Sequence, residues 1–77
     1  MTKQLLKAIA SGKVSVQNKT AGEVMVVLPN PDGPGFLSIP IQGYGKAELA
    51  PKHLPANMIA KSRNLLTLVS EGRLRIL

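Results

Sequence analysis

Lys13-Val14-Ser15-Val16-Gln17, then Asn18-Lys19-Thr20-Ala21-Gly22, then Glu23-Val24-Met25-Val26-Val27-Leu28, is the stretch on which the fold turns. The first segment alternates polar and apolar residues. That is the pattern of a strand buried on one side, because successive side chains point to opposite faces. The second segment is turn chemistry, and the third is a strand with Val24, Val26 and Leu28 on one side and Met25 and Val27 on the other. A strand apolar on both sides is expected to be covered on both. Asn18-Lys19-Thr20 matches the glycosylation sequon, and its place between two strands reads as a turn.

Outward from this pair, Pro29-Asn30-Pro31-Asp32-Gly33-Pro34-Gly35 must be a loop, since proline removes ladder donors and Asp-Gly favours reversal. Phe36-Leu37-Ser38-Ile39 predicts a third strand, ended by Pro40. After the bend at Gly43-Tyr44-Gly45, Lys46-Ala47-Glu48-Leu49 predicts a fourth. Pro51 and Pro55 bracket a connector into one or two helical turns over Ala56 to Lys61. Ser62 is placed to cap a helix over Asn64 to Ser70 that Gly72 ends, and Arg73-Leu74-Arg75-Ile76 is the last strand. At the other end, Thr2 caps a helix over Lys3 to Ala10, with Leu5, Leu6 and Ile9 on one face and Gly12 as its stop.

These elements predict a mainly β, α+β fold: a small five-stranded β-sandwich or barrel-like sheet, with short helices at the N-terminus and before the last strand. Residues 1–12 form an N-terminal helix or assembly arm, and residues 13–77 a single small β-rich domain. Val14, Val16, Val24, Val26, Leu28, Leu37, Ile39, Leu49, Leu65, Leu66, Val69, Leu74 and Ile76 are the expected core. Gln4-Leu5-Leu6, Ile9, Gly12, Lys13, Val14 and Val16 align at an offset of 60 with Asn64-Leu65-Leu66, Val69, Gly72, Arg73, Leu74 and Ile76. Either a common helix–glycine–strand unit occurs twice, or the termini are structurally equivalent units able to exchange or stack between copies.

Composition limits the chemistry. The 77 residues allow one domain, and they contain no cysteine, one histidine and four acids. Zero cysteines exclude disulfides and the thiolate zinc patterns. His53 lies in a loop with only Glu48 near it in sequence, so general-base catalysis lacks an orienting carboxylate. Ser11, Ser15, Ser38, Ser62 and Ser70 lack a nucleophile-elbow setting, and Glu23, Asp32, Glu48 and Glu71 do not form a spaced metal set. Gly33-Pro34-Gly35 and Gly43-Tyr44-Gly45 lead towards strands, not into a helix, so neither is a phosphate loop. No catalytic residue, cofactor or metal is expected, and the chain is read as not an enzyme.

The longest apolar runs fall far short of a membrane span, and the N-terminus lacks the continuous apolar core of a signal peptide. No membrane partner is expected. The net charge of +6 attracts acidic surfaces or nucleic acid. The cations are scattered, however, and of the two aromatics only Tyr44 is expected outside the core, a thin stacking platform for single strands. Nucleic acid is therefore the less favoured partner. A domain this small with two aromatics has poor means of standing alone, so partner contact is expected at Leu5, Leu6 and Ile9, at Pro31 and Pro34, at Arg73 and Arg75, and at Tyr44, whose ring either projects as an anchor or folds back over the sheet edge. On that reading, truncating residues 2–10 weakens assembly and leaves the sheet folded.

The run Val16 to Val24, the continuation into Leu28-Pro29, the glycine-rich turn, Ile39-Pro40 and the bend at Gly43 resemble small tailed-bacteriophage virion proteins. The ending Leu65-Leu66 through Glu71-Gly72-Arg73-Leu74-Arg75-Ile76 is similar to their helix–glycine–strand finish. The likeness covers residues 13 to 77. It implies a non-enzymatic virion structural protein, foremost a capsid decoration or cement subunit that binds the major capsid protein in multiple copies. A small tail or baseplate component is the alternative within that class, and a basic nucleic-acid-binding module the alternative outside it. The implied location is the virion, after synthesis in the host cytoplasm.

Overall fold

The computed structural model describes residues 3–77, and the cap expected at Thr2 lies outside them. The chain runs through α1 (Lys3–Ser11), β1 (Val14–Asn18), β2 (Val24–Pro29), β3 (Phe36–Ile41), β4 (Lys46–Ala50), a 3-10 helix (Ala56–Lys61), α2 (Arg63–Ser70) and β5 (Leu74–Ile76). Five strands thus form an α+β fold of two antiparallel sheets, ordered β4-β1-β5 and β2-β3.

The barrel expected from the sequence does not close. Both edges of β1 are used by β4 and β5, so none remains for the hairpin β2–β3. The free edge of β2 is instead covered by side chains at the start of α2. Asn64 Oδ1 accepts from the Val27 N–H at 2.9 Å, and Ser62 Oγ donates to the Val27 carbonyl. Ser62 also accepts from the Leu65 N–H at 3.1 Å, so one buried hydroxyl caps the helix and fastens it to the hairpin.

Because the Val27 backbone turns away from β3, the Val27–Ser38 pair is of the non-hydrogen-bonded kind, and so is Met25–Pro40 two residues on. The Pro40 nitrogen therefore faces the outside edge, where a missing N–H costs no ladder bond. This corrects the expectation that Pro40 ends the strand: β3 continues through it to Ile41.

One core serves both sheets. Leu5, Val14, Val16, Val26, Leu28, Leu49, Ile59 and Leu65 are fully buried in a single cluster. Of the expected core, Val24, Leu37, Ile39, Leu66 and Val69 are partly buried against that cluster. Ile41, Ala50, Leu54, Ala56, Ile59 and Leu68 belong to it although their local sequence does not announce it. α1 packs on β1, β5 and the 3-10 helix through Leu5 and Ala8, so it shares the core of the remaining chain.

The repeat at offset 60 is present in the backbone. Gly12 and Gly72 both take positive φ, +83° and +78°, as glycine helix stops do. Gly12 N–H reaches the Ile9 carbonyl and Gly72 N–H the Val69 carbonyl, both at 3.1 Å. Arg73 N–H then closes on the Leu68 carbonyl at 3.0 Å. At the matching place in α1, the Ser11 hydroxyl bridges the Ala8 carbonyl and the Lys13 N–H. The two repeat strands also pair with each other, with Val16 opposite its own counterpart Ile76. A local two-fold axis passes between these residues, carrying the Gln17–Arg75 pair onto Leu77 and Ser15, which are joined at 2.9 Å.

Candidate interaction surface

The inner face of the hairpin carries Val24, Val26, Leu28, Leu37, Ile39 and Ile41. Its outer face carries the alternate set, paired as Met25–Pro40, Val27–Ser38 and Pro29–Phe36. Ser38 is the one polar side chain there. Phe36 is 75% exposed and Met25 43% exposed, and Val27 is half-buried beneath the start of α2. The hairpin therefore shows solvent an apolar face that the described residues cover only in part, at Val27 and Pro29. This corrects two expectations. β2 is not shielded on both sides, and Phe36 is not in the core, because a domain of this size has one layer of helix and spends it on the inner side.

Between this face and α2 lies a cavity of about 340 Å³, lined by Val27, Pro29, Phe36, Ser62 and Asn64 and flanked by the exposed Lys61 and Arg63. Its floor is held by the Ser62 and Asn64 bonds to Val27. The rim is basic and the interior apolar, an arrangement suited to an apolar side chain on an acidic neighbour.

The three-stranded sheet presents the opposite character. Lys46, Gln17 and Arg75 lie side by side across β4, β1 and β5 on its outer face, with Ser15 and Glu48 in the next row. The ion pairs Lys13–Glu48 at 3.9 Å and Arg73–Glu71 at 3.6 Å are exposed and contribute little.

The residues proposed for partner contact fall in separate places. Leu5 is fully buried inside the chain, Ile9 packs partly against the core, and Leu6 is 53% exposed on the outer side of α1. Leu5 is thus unavailable to a partner, since its side of α1 faces the core. Pro31 and Pro34 sit in the loop that the Asn30 N–H closes on the Gly35 carbonyl at 3.2 Å, next to Pro29 and Phe36. Arg73, just before β5, and Arg75 within it are exposed. Sequence reasoning missed Met25 and Phe36. The available signal was a strand apolar on both sides in a chain too small to cover both.

Tyr44 is 63% exposed, and it is the one non-glycine residue with positive φ, 59°, among the described residues. Its N–H is held by the Thr20 carbonyl at 3.0 Å. A ring at a backbone position that favours glycine or asparagine stands away from the sheet at some conformational cost. His53 is half-buried in the turn after β4, which contains the cis Ala50–Pro51 bond. Among the described residues no three His, Asp or Glu gather into a metal-holding group, and no helix is long and apolar enough to cross a membrane. In comparisons with protein families, curated proteins and solved structures, the chain matches none.

Proposed function

We propose that this chain is a non-enzymatic structural subunit of a tailed-phage particle, a capsid decoration or cement protein that docks its hairpin on an acidic region of the capsid protein. The observation that carries the docking is the exposed part of the outer face of β2–β3, where Met25 and Phe36 are open to solvent and Phe36 lies beside the cationic rim of Lys61 and Arg63. Exposed aromatic anchors ringed by polar groups are the usual energetic centres of protein contacts. The assignment to a virion rests on the resemblance of residues 13 to 77 to small phage virion proteins. In a repeating lattice modest affinity per copy suffices, because many contacts act together. In the same reading the two sheets are the layers of a small sandwich. The support for this is that Val14 and Val16 from one and Val26 and Leu28 from the other share the core.

Gradient co-sedimentation of the purified chain with particles of the phage that encodes it tests this reading. The chain is expected to travel with particles, and Phe36→Ser to stay at the top of the gradient. A chain that never associates with particles overturns the reading. The basic row Lys46–Gln17–Arg75 supports the nucleic-acid alternative. Salt-dependent DNA binding by a chain absent from particles would establish that reading instead.

A further inference from the structure

β1 is satisfied on both edges. Asn18 N–H bonds to the Gly45 carbonyl at 2.8 Å on the β4 side. On the β5 side, Lys19 N–H bonds to Arg73 at 2.8 Å and Leu77 N–H to Ser15 at 2.9 Å. Arg73 therefore turns its carbonyl to β1, and residues 75 and 77 their backbone groups. By the alternation of an antiparallel ladder, Leu74 and Ile76 aim theirs the other way. Among the described residues no strand lies on that side and no hydrogen bond takes these groups up there. Under the local two-fold between Val16 and Ile76, this far edge of β5 is the counterpart of the β1 edge that β4 occupies.

The edge opens into two adjoining cavities of about 310 and 360 Å³ that share Gln4 and Ile76. The charged residues lining them are Lys19 and Arg75 in one and Lys7 and Lys13 in the other, all cations. Two acids lie close by, each turned to a cation: Glu48 faces Lys13 at 3.9 Å, and Glu71, next to Gly72, faces Arg73 at 3.6 Å.

We propose that the far edge of β5 takes up an extended acidic segment of a partner protein as an added strand, in the place that β4 holds on β1. The inference rests on the protein-binding reading and deepens it by naming the partner's chemistry at a second surface. Main-chain bonds to Leu74 and Ile76 supply a ladder, and alternate side chains of the incoming strand meet Arg75 on one face and Val69 and Gly72 on the other. A second copy of this chain fits poorly, because edge-to-edge pairing sets Arg75 and its cationic neighbours against themselves.

The probe is a short fluorescein-labelled peptide of alternating glutamate and valine, followed by anisotropy with the full chain at low salt. Saturable binding is expected, weakened about tenfold by Arg75→Glu, as for loss of a charge-assisted contact. A peptide of the same sequence carrying N-methyl groups on its backbone should not bind. In amide exchange, Leu74 and Ile76 should become protected on peptide addition, while Met25 and Phe36 do not. Phe36→Ser should keep the peptide and lose the particle; Arg75→Glu should still fold and bind the peptide about tenfold more weakly, which separates this proposal from the hairpin docking. Absence of binding, equal binding of the N-methylated peptide, unchanged exchange at Leu74 and Ile76, or protection of those amides by a single-stranded oligonucleotide in place of the peptide would overturn it.

Discussion

The side-chain amide of Asn18 donates to the backbone carbonyl of Ile41 at 3.0 Å, and so ties the three-stranded sheet to the hairpin. The same nitrogen shares its two hydrogens among the Ile41, Gly22 and Gln42 carbonyls, at 2.8 to 3.0 Å. The Asn18 carbonyl oxygen accepts from the Thr20 N–H at 2.8 Å and from its hydroxyl at 2.7 Å. A fully buried amide with each polar atom engaged rigidifies the junction of the two sheets. It also shows that the sequon asparagine is a structural turn residue, since its nitrogen is enclosed.

Asn18→Ala removes the donor that three carbonyls share. The expected loss is about 3 kcal/mol, the scale of leaving buried acceptors unpaired. Urea denaturation followed by circular dichroism measures it; an unchanged midpoint would mean that water replaces the amide freely.

At Gly43 an added Cβ would stand 2.0 Å from the Ala21 carbonyl oxygen, backbone that a flexible side chain cannot yield. Gly43→Ala should therefore cost about 3 kcal/mol or fail to fold, as overpacking does at its upper range. Gly33→Ala, with open space around it, is the control and should fold normally.

Tyr44 holds a left-handed conformation that asparagine adopts more cheaply. Tyr44→Asn is expected to raise stability by about 1 kcal/mol. If the ring is a partner anchor, the same variant binds particles more weakly while melting higher. A variant that gains stability and binds as well would leave the ring without a role in docking.

Deleting residues 2–10 removes Leu5 and Ala8 from the core. The loss should exceed about 3 kcal/mol, the usual scale for emptying a buried leucine site, and collapse the dispersed amide spectrum of the sheet. This reverses the expectation of an arm that can be cut away without harm. A truncated chain with native dispersion would restore it.

Leu74 is almost fully buried on β5, next to the terminus. Leu74→Ala should cost about 3 kcal/mol, a large part of what so small a domain has. Thermal melting of the purified variant reads it directly.

Element order and boundaries were legible because they depend on neighbours in sequence. Alternation over Lys13 to Gln17, glycine at residues 12 and 72, and Ser62 ahead of a helix are local signals, and each element stands within a residue or two of its expected place. The corrections come from elsewhere. Pro40 ends a strand only if its nitrogen faces a partner strand, which depends on pairing parity with β2. Asn18 reads as an ordinary turn residue until Ile41 and Gln42, more than twenty positions away, arrive at its amide. Phe36 reads as core because aromatic rings usually are, and the helix layer that could have covered it lies on the other side of the hairpin.

By itself the sequence determined the elements, their order and the repeated helix–glycine–strand unit at both ends, because side-chain periodicity and glycine's conformational freedom act within a few residues. Only the tertiary structure decided that the repeat strands pair about Val16 and Ile76, that Leu5 is core while Phe36 is surface, and that no strand among the described residues pairs with the far edge of β5. Those outcomes follow from which surfaces meet when a limited apolar area is shared among distant segments, and no single stretch of the chain carries that information.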